Sequence, residues 1–200
     1  QNAEQEVRIY LEVAELLNEQ GHYDDALEHC KLAIQRLQDM KDEGGETKAY
    51  DILLRATQRG SRPKEGLTLI QQALERAEAQ RKTVLASSLS ISLAQLTIDE
   101  APEDAVRTLE KAIHNVQLPR ERRAEVAVSL SKALVKQGQY AKAAQQLNQT
   151  IADAGALPGF DTAGAYYLLS ETYRHLQQPR LRKESLEGAL AHLPQSADEL

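Results

Sequence analysis

One tyrosine-centred phrase recurs, and its spacing constrains the fold more than any other feature of the chain. EQGHYDDALEHCKLAI runs from Glu19 to Ile34, and KQGQYAKAAQQLNQTI from Lys136 to Ile151. Both read Gln-Gly, one residue, Tyr, two residues, Ala, then Ile eleven after the Tyr. Tyr23 and Tyr140 are 117 residues apart, three times 39. A period near 39 predicts copies in between, and they exist with proline in the tyrosine's place, at Pro63 and Pro102; a fifth starts at Pro179. Successive anchors are 40, 39, 38 and 39 residues apart. Ten residues after each anchor stand Ala33, Ala73, Ala112, Thr150 and Ala189, followed by Ile34, Leu74, Ile113, Ile151 and Leu190. A recurring small-then-large pair at a fixed period is the signature of a repeat array.

Each copy reads as two amphipathic helices joined by a tight turn. After the first anchor, Ala26, Cys30, Ala33, Ile34 and Leu37 fall at helical spacing. Before it, Tyr10, Val13, Ala14 and Leu17 do the same, and Val126, Ala127, Leu130 and Leu134 match them in the fourth copy. Gly21 and Gly138 suit the left-handed residue that ends a helix. Pro63, Pro102 and Pro179 suit the first turn of the next one, where the missing N–H costs nothing. Ten helices in five pairs follow, with turns near Gly21, Ser61, Ala101, Gly138 and Gln178. The five copies span about 3–42, 46–81, 82–118, 120–156 and 161–194 of a single array over residues 1–200.

Composition agrees. The residues that are not polar are mostly Ala and Leu, mixed with the strong helix formers Glu, Gln, Lys and Arg. Aromatics are seven Tyr, one Phe and no Trp, so an all-α reading needs no aromatic core. No apolar stretch approaches the ~18 to 20 residues of a membrane span. A net charge of −6 argues against a general nucleic-acid surface. Cys30 is the single cysteine, so no intrachain disulfide can form, and a reducing, cytoplasmic setting is expected. No signal-peptide pattern is visible. The chain begins with Gln rather than Met, which fits a fragment of something longer.

Gly21, Tyr23, Ala26 and Ala33, with Tyr10, Ala14 and Leu17 upstream, resemble the tetratricopeptide (TPR) repeat family. The resemblance is strongest in the first copy and good in the fourth. The others depart: Leu54 and Leu93 stand where Ala14 does, and Arg182 replaces the Ala26 equivalent. The family's usual period is about 34 residues, so the spacing here is similar to the longer-helix branch of kinesin light chains and several bacterial signalling regulators. The resemblance implies an α-solenoid, a right-handed superhelix whose concave groove is lined by the first helix of each pair. In chaperone-binding members, a clamp of basic residues and asparagines grips a terminal carboxylate. The matching places hold Leu11, Glu15, Asp51 and Arg55, so that clamp is not intact. One core-side position reads Leu27, Leu67, Val106, Ala144 and then Lys183, which marks the fifth copy as an end cap, followed by a frayed tail from Pro194 to Leu200. Gly44–Gly45 and Ala156 to Phe160 are expected to be the longest inter-repeat loops.

No catalytic signature is present, and the chain is read as a non-enzyme without cofactor or metal. His22 and His29 lack a recognisable set of companion ligands, and His114, His175 and His192 lie in other copies. Cys30 on an apolar stripe behaves as a small hydrophobe. Asn148-Gln149-Thr150 matches a glycosylation sequon, but Thr150 is expected to face a helix interface. Projected onto the groove, the first helices offer Arg55 and Arg59, then Ser90, Ile91, Ala94 and Ile98, then Lys132 and Lys136. Small and apolar residues flanked by basic ones suggest a site for a partner peptide or helix with an apolar face and acidic flanks. The competing reading is a ligand- or peptide-sensing domain of a larger bacterial regulator, whose effector lies elsewhere. No direct nucleic-acid or membrane contact is expected, and the oligomeric state is left open.

Overall fold

The computed structural model describes residues 2–114 and 118–193. Their secondary structure is entirely helical, in ten helices, and the fold is all-α, of the helical-repeat solenoid class. The chain divides into two compact units, Gln1–Leu96 and Thr97–Leu200, and the division falls between the two helices of the third repeat.

The first unit holds α1 (Asn2–Glu19), α2 (Tyr23–Met40), α3 (Glu43–Arg59), α4 (Pro63–Ala79) and α5 (Thr83–Leu96). Each packs on the next, and α3 also touches both α1 and α5, so the first helices of successive pairs form one row. The core is the apolar stripe read from the sequence: Ala14, Cys30, Ala33 and Leu37 meet Leu53, Ile70 and Leu89. Full burial of each large aliphatic side chain contributes about 1.5–3 kcal/mol. Burial pushes the Cys30 thiol up to about 12, so it stays protonated and inert. At the α3–α4 crossing, a Cβ on Gly66 would lie 1.9 Å from Thr57 Oγ1, so the backbones meet closer there than any side chain allows.

Polar groups fix the register of this unit. Asn18 Nδ2 donates to the Ile52 carbonyl, 3.1 Å away, tying α1 to α3. Glu43 accepts from the Leu85 amide in the first turn of α5, at 3.2 Å. Glu46 is 1% exposed, and its carboxylate meets Lys82 Nζ at 2.9 Å. A buried carboxylate is tolerated when it is paired and near a helix N-terminus.

The second unit holds α6 (Pro102–Ile113), α7 (Arg120–Lys136), α8 (Tyr140–Ala154), α9 (Thr162–His175) and α10 (Pro179–Ala191). Neighbours again pack in chain order, and α7 touches α9. Val126, Ala127, Leu130 and Leu134 are buried along α7, while Ala144, Leu147 and Leu169 form a cluster backed by Tyr166 and Leu176. Tyr140 stacks on His175 with ring centroids 4.5 Å apart. Lys183 is exposed and pairs with Glu187, whereas Leu27, Val106 and Ala144 at the equivalent position are buried.

The turns follow the anchors. Gly21 and Gly138 have φ of 81° and 74°. Pro63, Pro102 and Pro179 each open a helix. Two sequence expectations change. Gly44 and Gly45 are not a loop but the first turn of α3, because the Asp42 side chain accepts from the Gly45 amide at 3.0 Å and caps the helix there. Ile98 is not on the helix of Ile91, because α5 ends at Leu96. Lys31 is half-buried and reaches across to α4. The end of the third copy at 115–117 and the tail from Pro194 to Leu200 lie outside the described residues.

Candidate interaction surface

The structure places the expected groove residues in two different situations. Ile91, Ala94 and Ile98 are 1%, 5% and 8% exposed. They are core, not the floor of an open groove, and the apolar part of that expectation is corrected. Ile91 and Ala94 lie on α5, whose apolar residues occupy more than one face, so more than one face of it is buried; Ile98 lies beyond its end. Ser90 on the same helix is half-buried.

The basic residues are at the surface. On α3, Arg55 and Arg59 are exposed one turn apart. Glu15 on α1 lies 3.8 Å from both Arg55 and Lys48, so one carboxylate serves two cations. Arg59 has no ion-pair partner among the described residues. On α7 of the second unit, Lys132 and Lys136 are exposed one turn apart; Lys136 pairs with Asp99, and Lys132 has no such partner among the described residues. Each unit thus presents a pair of cations one turn apart on a first helix, and α3 adds Lys48. Leu11, one of the positions of the absent carboxylate clamp, is buried.

Sequence reasoning missed the clefts between successive second helices. In the first unit, α2 and α4 flank a cleft of about 370 Å³ with Tyr50 of α3 among its lining residues. Lys31, one of its lining residues, belongs to a network that joins the same helices: Lys31 Nζ meets Glu28 at 3.0 Å and Glu65 at 2.9 Å, and Arg62 pairs with both carboxylates. A hydrogen bond from Lys31 is the main cause that holds the Glu28 and Glu65 carboxyls below the usual range; a hydrogen bond from Arg62 adds to it at Glu28, and the charges of Lys31 and Arg62 at Glu65. In the second unit, α6 and α8 flank a cleft of about 800 Å³, with Leu130 and Leu134 of α7 beneath it. Its polar lining includes Arg107, Lys111, Lys142, Gln145 and Gln149. A smaller cleft of about 320 Å³, lined by Arg120 and Arg123, shares Gln146, Gln149 and Asp153 with it. The only available hint in the sequence was the repeat offset of these charges.

Among the described residues, no three His, Cys, Asp or Glu side chains converge as metal ligands would, and no helix is long and apolar enough to cross a membrane. The model of a protein family described as cohesin loading factor matches residues 1–178. The chain belongs to the cohesin loading factor family. No curated protein matches it. Solved structures with a similar fold include a kinesin light chain of Podospora anserina with TPR-like repeats, at 20% identity and a TM-score of 0.66, covering 92% of this chain and 93% of that one. BtubC (BKLC) of P. vanneervenii is 17% identical with a TM-score of 0.68, covering 95% and 87%. YrrB, described as a TPR protein with an unusual peptide-binding site, is 19% identical with a TM-score of 0.52, covering 94% and 86%. This cohesin loading factor chain therefore has a TPR-like repeat fold.

Proposed function

We propose that the chain is a non-enzymatic interaction module that acts in cohesin loading by holding a peptide or helical segment of a protein partner on its first-helix face. The observation that carries this reading is the row of first helices in the first unit. There α3 touches both α1 and α5 and presents Lys48, Arg55 and Arg59 outward. Membership of the cohesin loading factor family gives the process, and YrrB is an example of a similar fold that binds peptide. The 38-to-40-residue spacing is read as the long-helix form of the repeat.

With Ile91, Ala94 and Ile98 in the core, attraction on this face rests on charge, and the segment it suits carries acidic residues. Arg55, Arg59 and Ser90 form the contact set in the first unit. Lys132 and Lys136 form a separate one in the second. Exposed charges act mainly on encounter and are screened over about 10 Å at 0.1 M salt. The test is capture of cohesin-loading partners by the wild-type chain and by Arg55→Glu/Arg59→Glu and Lys132→Glu/Lys136→Glu. Loss of capture at low salt with an unchanged helical spectrum is expected. Equal capture by all three proteins would remove this face from the binding function.

A further inference from the structure

The cleft between α6 and α8 has features that the first-helix face does not explain. Together with the smaller cleft that joins it, it is lined by five cations and two carboxylates, in a chain whose net charge is −6. Lys111 and Lys142 are exposed on its walls and have no ion-pair partner among the described residues. Among the described residues, Arg107 is engaged only with Asp104 on its own helix. Arg123 Nε is buried without a hydrogen-bond partner, and an unmet buried donor is costly until an acceptor arrives. Gln145, Gln146 and Gln149 present side-chain amides along α8, which can donate to and accept from a peptide backbone.

We infer that this cleft is a second docking site, on the second-helix side of the second unit, for an acidic segment of a protein partner. Its carboxylates meet Lys111, Lys142 and Arg107 on the walls, one carboxylate reaches the Arg123 guanidinium, and the backbone runs along the glutamines. Charge complementarity selects this occupant. The carboxylates of Glu110 and Asp153 break up the positive field, which disfavours the continuous phosphate backbone of a nucleic acid. They are tolerated by a peptide, whose charges are discrete. The site is independent of the first-helix face: it shares no residue with Arg55, Arg59, Lys132 or Lys136.

The test titrates the full 200-residue chain with a short fluorescent peptide alternating glutamate and leucine, with its lysine-for-glutamate counterpart, and with a single-stranded oligonucleotide, by anisotropy. The acidic peptide should bind in preference to both others. Lys111→Glu/Lys142→Glu should weaken it about tenfold, with more loss at low salt. The milder Lys111→Gln/Lys142→Gln should weaken it less, and both variants should melt like the wild type. Arg55→Glu/Arg59→Glu should remove only the share of binding that belongs to the first-helix face, and Lys111→Glu/Lys142→Glu should weaken what remains by the same factor in that background. Four results would overturn the inference: no preference for the acidic peptide; full binding by the Lys111/Lys142 variants; loss only on reversing Arg55 and Arg59, which would assign the peptide to the first-helix face; or tighter oligonucleotide binding abolished by Lys111→Glu/Lys142→Glu, which would make the cleft a nucleic-acid site.

Discussion

The two units solve the same packing problem with opposite electrostatics. In the first, Glu28, Lys31, Arg62 and Glu65 join α2 to the start of α4 by ion pairs. Counting from the anchors, these are positions five and eight after Tyr23, and one before and two after Pro63. The same offsets from Pro102 and Tyr140 give Arg107, Glu110, Gln139 and Lys142. The Glu28–Arg62 bridge becomes Arg107 facing an uncharged Gln139. The Lys31–Glu65 bridge is reversed in sign, and no ion pair joins α6 to α8 among the described residues. A second equivalence points the same way. The fourth residue of α3 is Glu46, matched by Lys82; the fourth residue of α7 is Arg123, with Nε unmatched. The first unit pairs these charges with one another across α2 and α4 and matches Glu46 with Lys82. The second keeps cations in reserve, and the repeat pattern shows that this is a local substitution within a shared scaffold.

The largest effect should come from the buried pair. Lys82→Met leaves the Glu46 carboxylate buried without a partner and should cost about 2–4 kcal/mol in a urea melt, because an uncompensated buried charge is strongly destabilising. Arg123→Met, at the position equivalent to Glu46, should cost no more than ~1 kcal/mol, since its buried Nε has no partner to lose. Comparable losses from the two variants would show that Arg123 is as well matched as Glu46 and would break the comparison.

A smaller effect is expected at the bridge. Glu65→Lys places in the first unit the residue that the second unit carries as Lys142, and sets three cations around Glu28. The melting midpoint should fall, and by less at high salt, because these side chains are a third to a half exposed and salt reaches them. Its pH signature has a definite sign. Lys31 first, and Arg62 with it, holds the Glu28 and Glu65 carboxyls below the ordinary value of 4.5. The unfolded chain therefore binds protons first on acidification. The bridge contributes fully above pH 4.5 and is lost as pH falls through the lowered values. Glu65→Lys should flatten that acid dependence. An acid profile identical to the wild type would mean the network does not hold α2 to α4 in solution.

Much of this fold is legible in the sequence for a local reason. Each anchor fixes its own turn, through a left-handed glycine or a helix-opening proline, and the stripe from Ala26 to Leu37 needs only helical periodicity. The interaction surface is less legible because it depends on where helices stop and what covers them. Ile91 and Ile98 share a face only if one helix carries both, and α5 ends at Leu96. The Gly44–Gly45 pair reads as a loop until the Asp42 cap is seen. The bridge between α2 and α4 joins residues 34 apart, Lys31 to Glu65 and Glu28 to Arg62. No window along the chain contains it, although an alignment of the copies by anchor would have shown four charges at fixed offsets.

The smallest effect sharpens the comparison at the turn. Gly21, in the first unit, lies two residues before its anchor, with φ 81° and nothing within 4 Å of a Cβ built there. Gln177, in the second unit, lies two residues before Pro179 and adopts the same left-handed region with φ 54°. The conformation costs an L-residue roughly 1–2 kcal/mol, which glycine avoids. Glycine in turn raises the conformational freedom of the unfolded chain, an opposing term of roughly 0.5–1 kcal/mol. Gln177→Gly should therefore stabilise the protein by about 0.5 kcal/mol, and Gly21→Gln should destabilise it by a similar amount. The empty space around Gly21 makes backbone strain the whole effect, with no steric contribution from neighbours. Urea midpoints that move in opposite directions for the two variants would show one turn geometry imposed on both units by the repeat. A neutral Gln177→Gly would show instead that neighbouring contacts in the last copy already compensate for its left-handed residue.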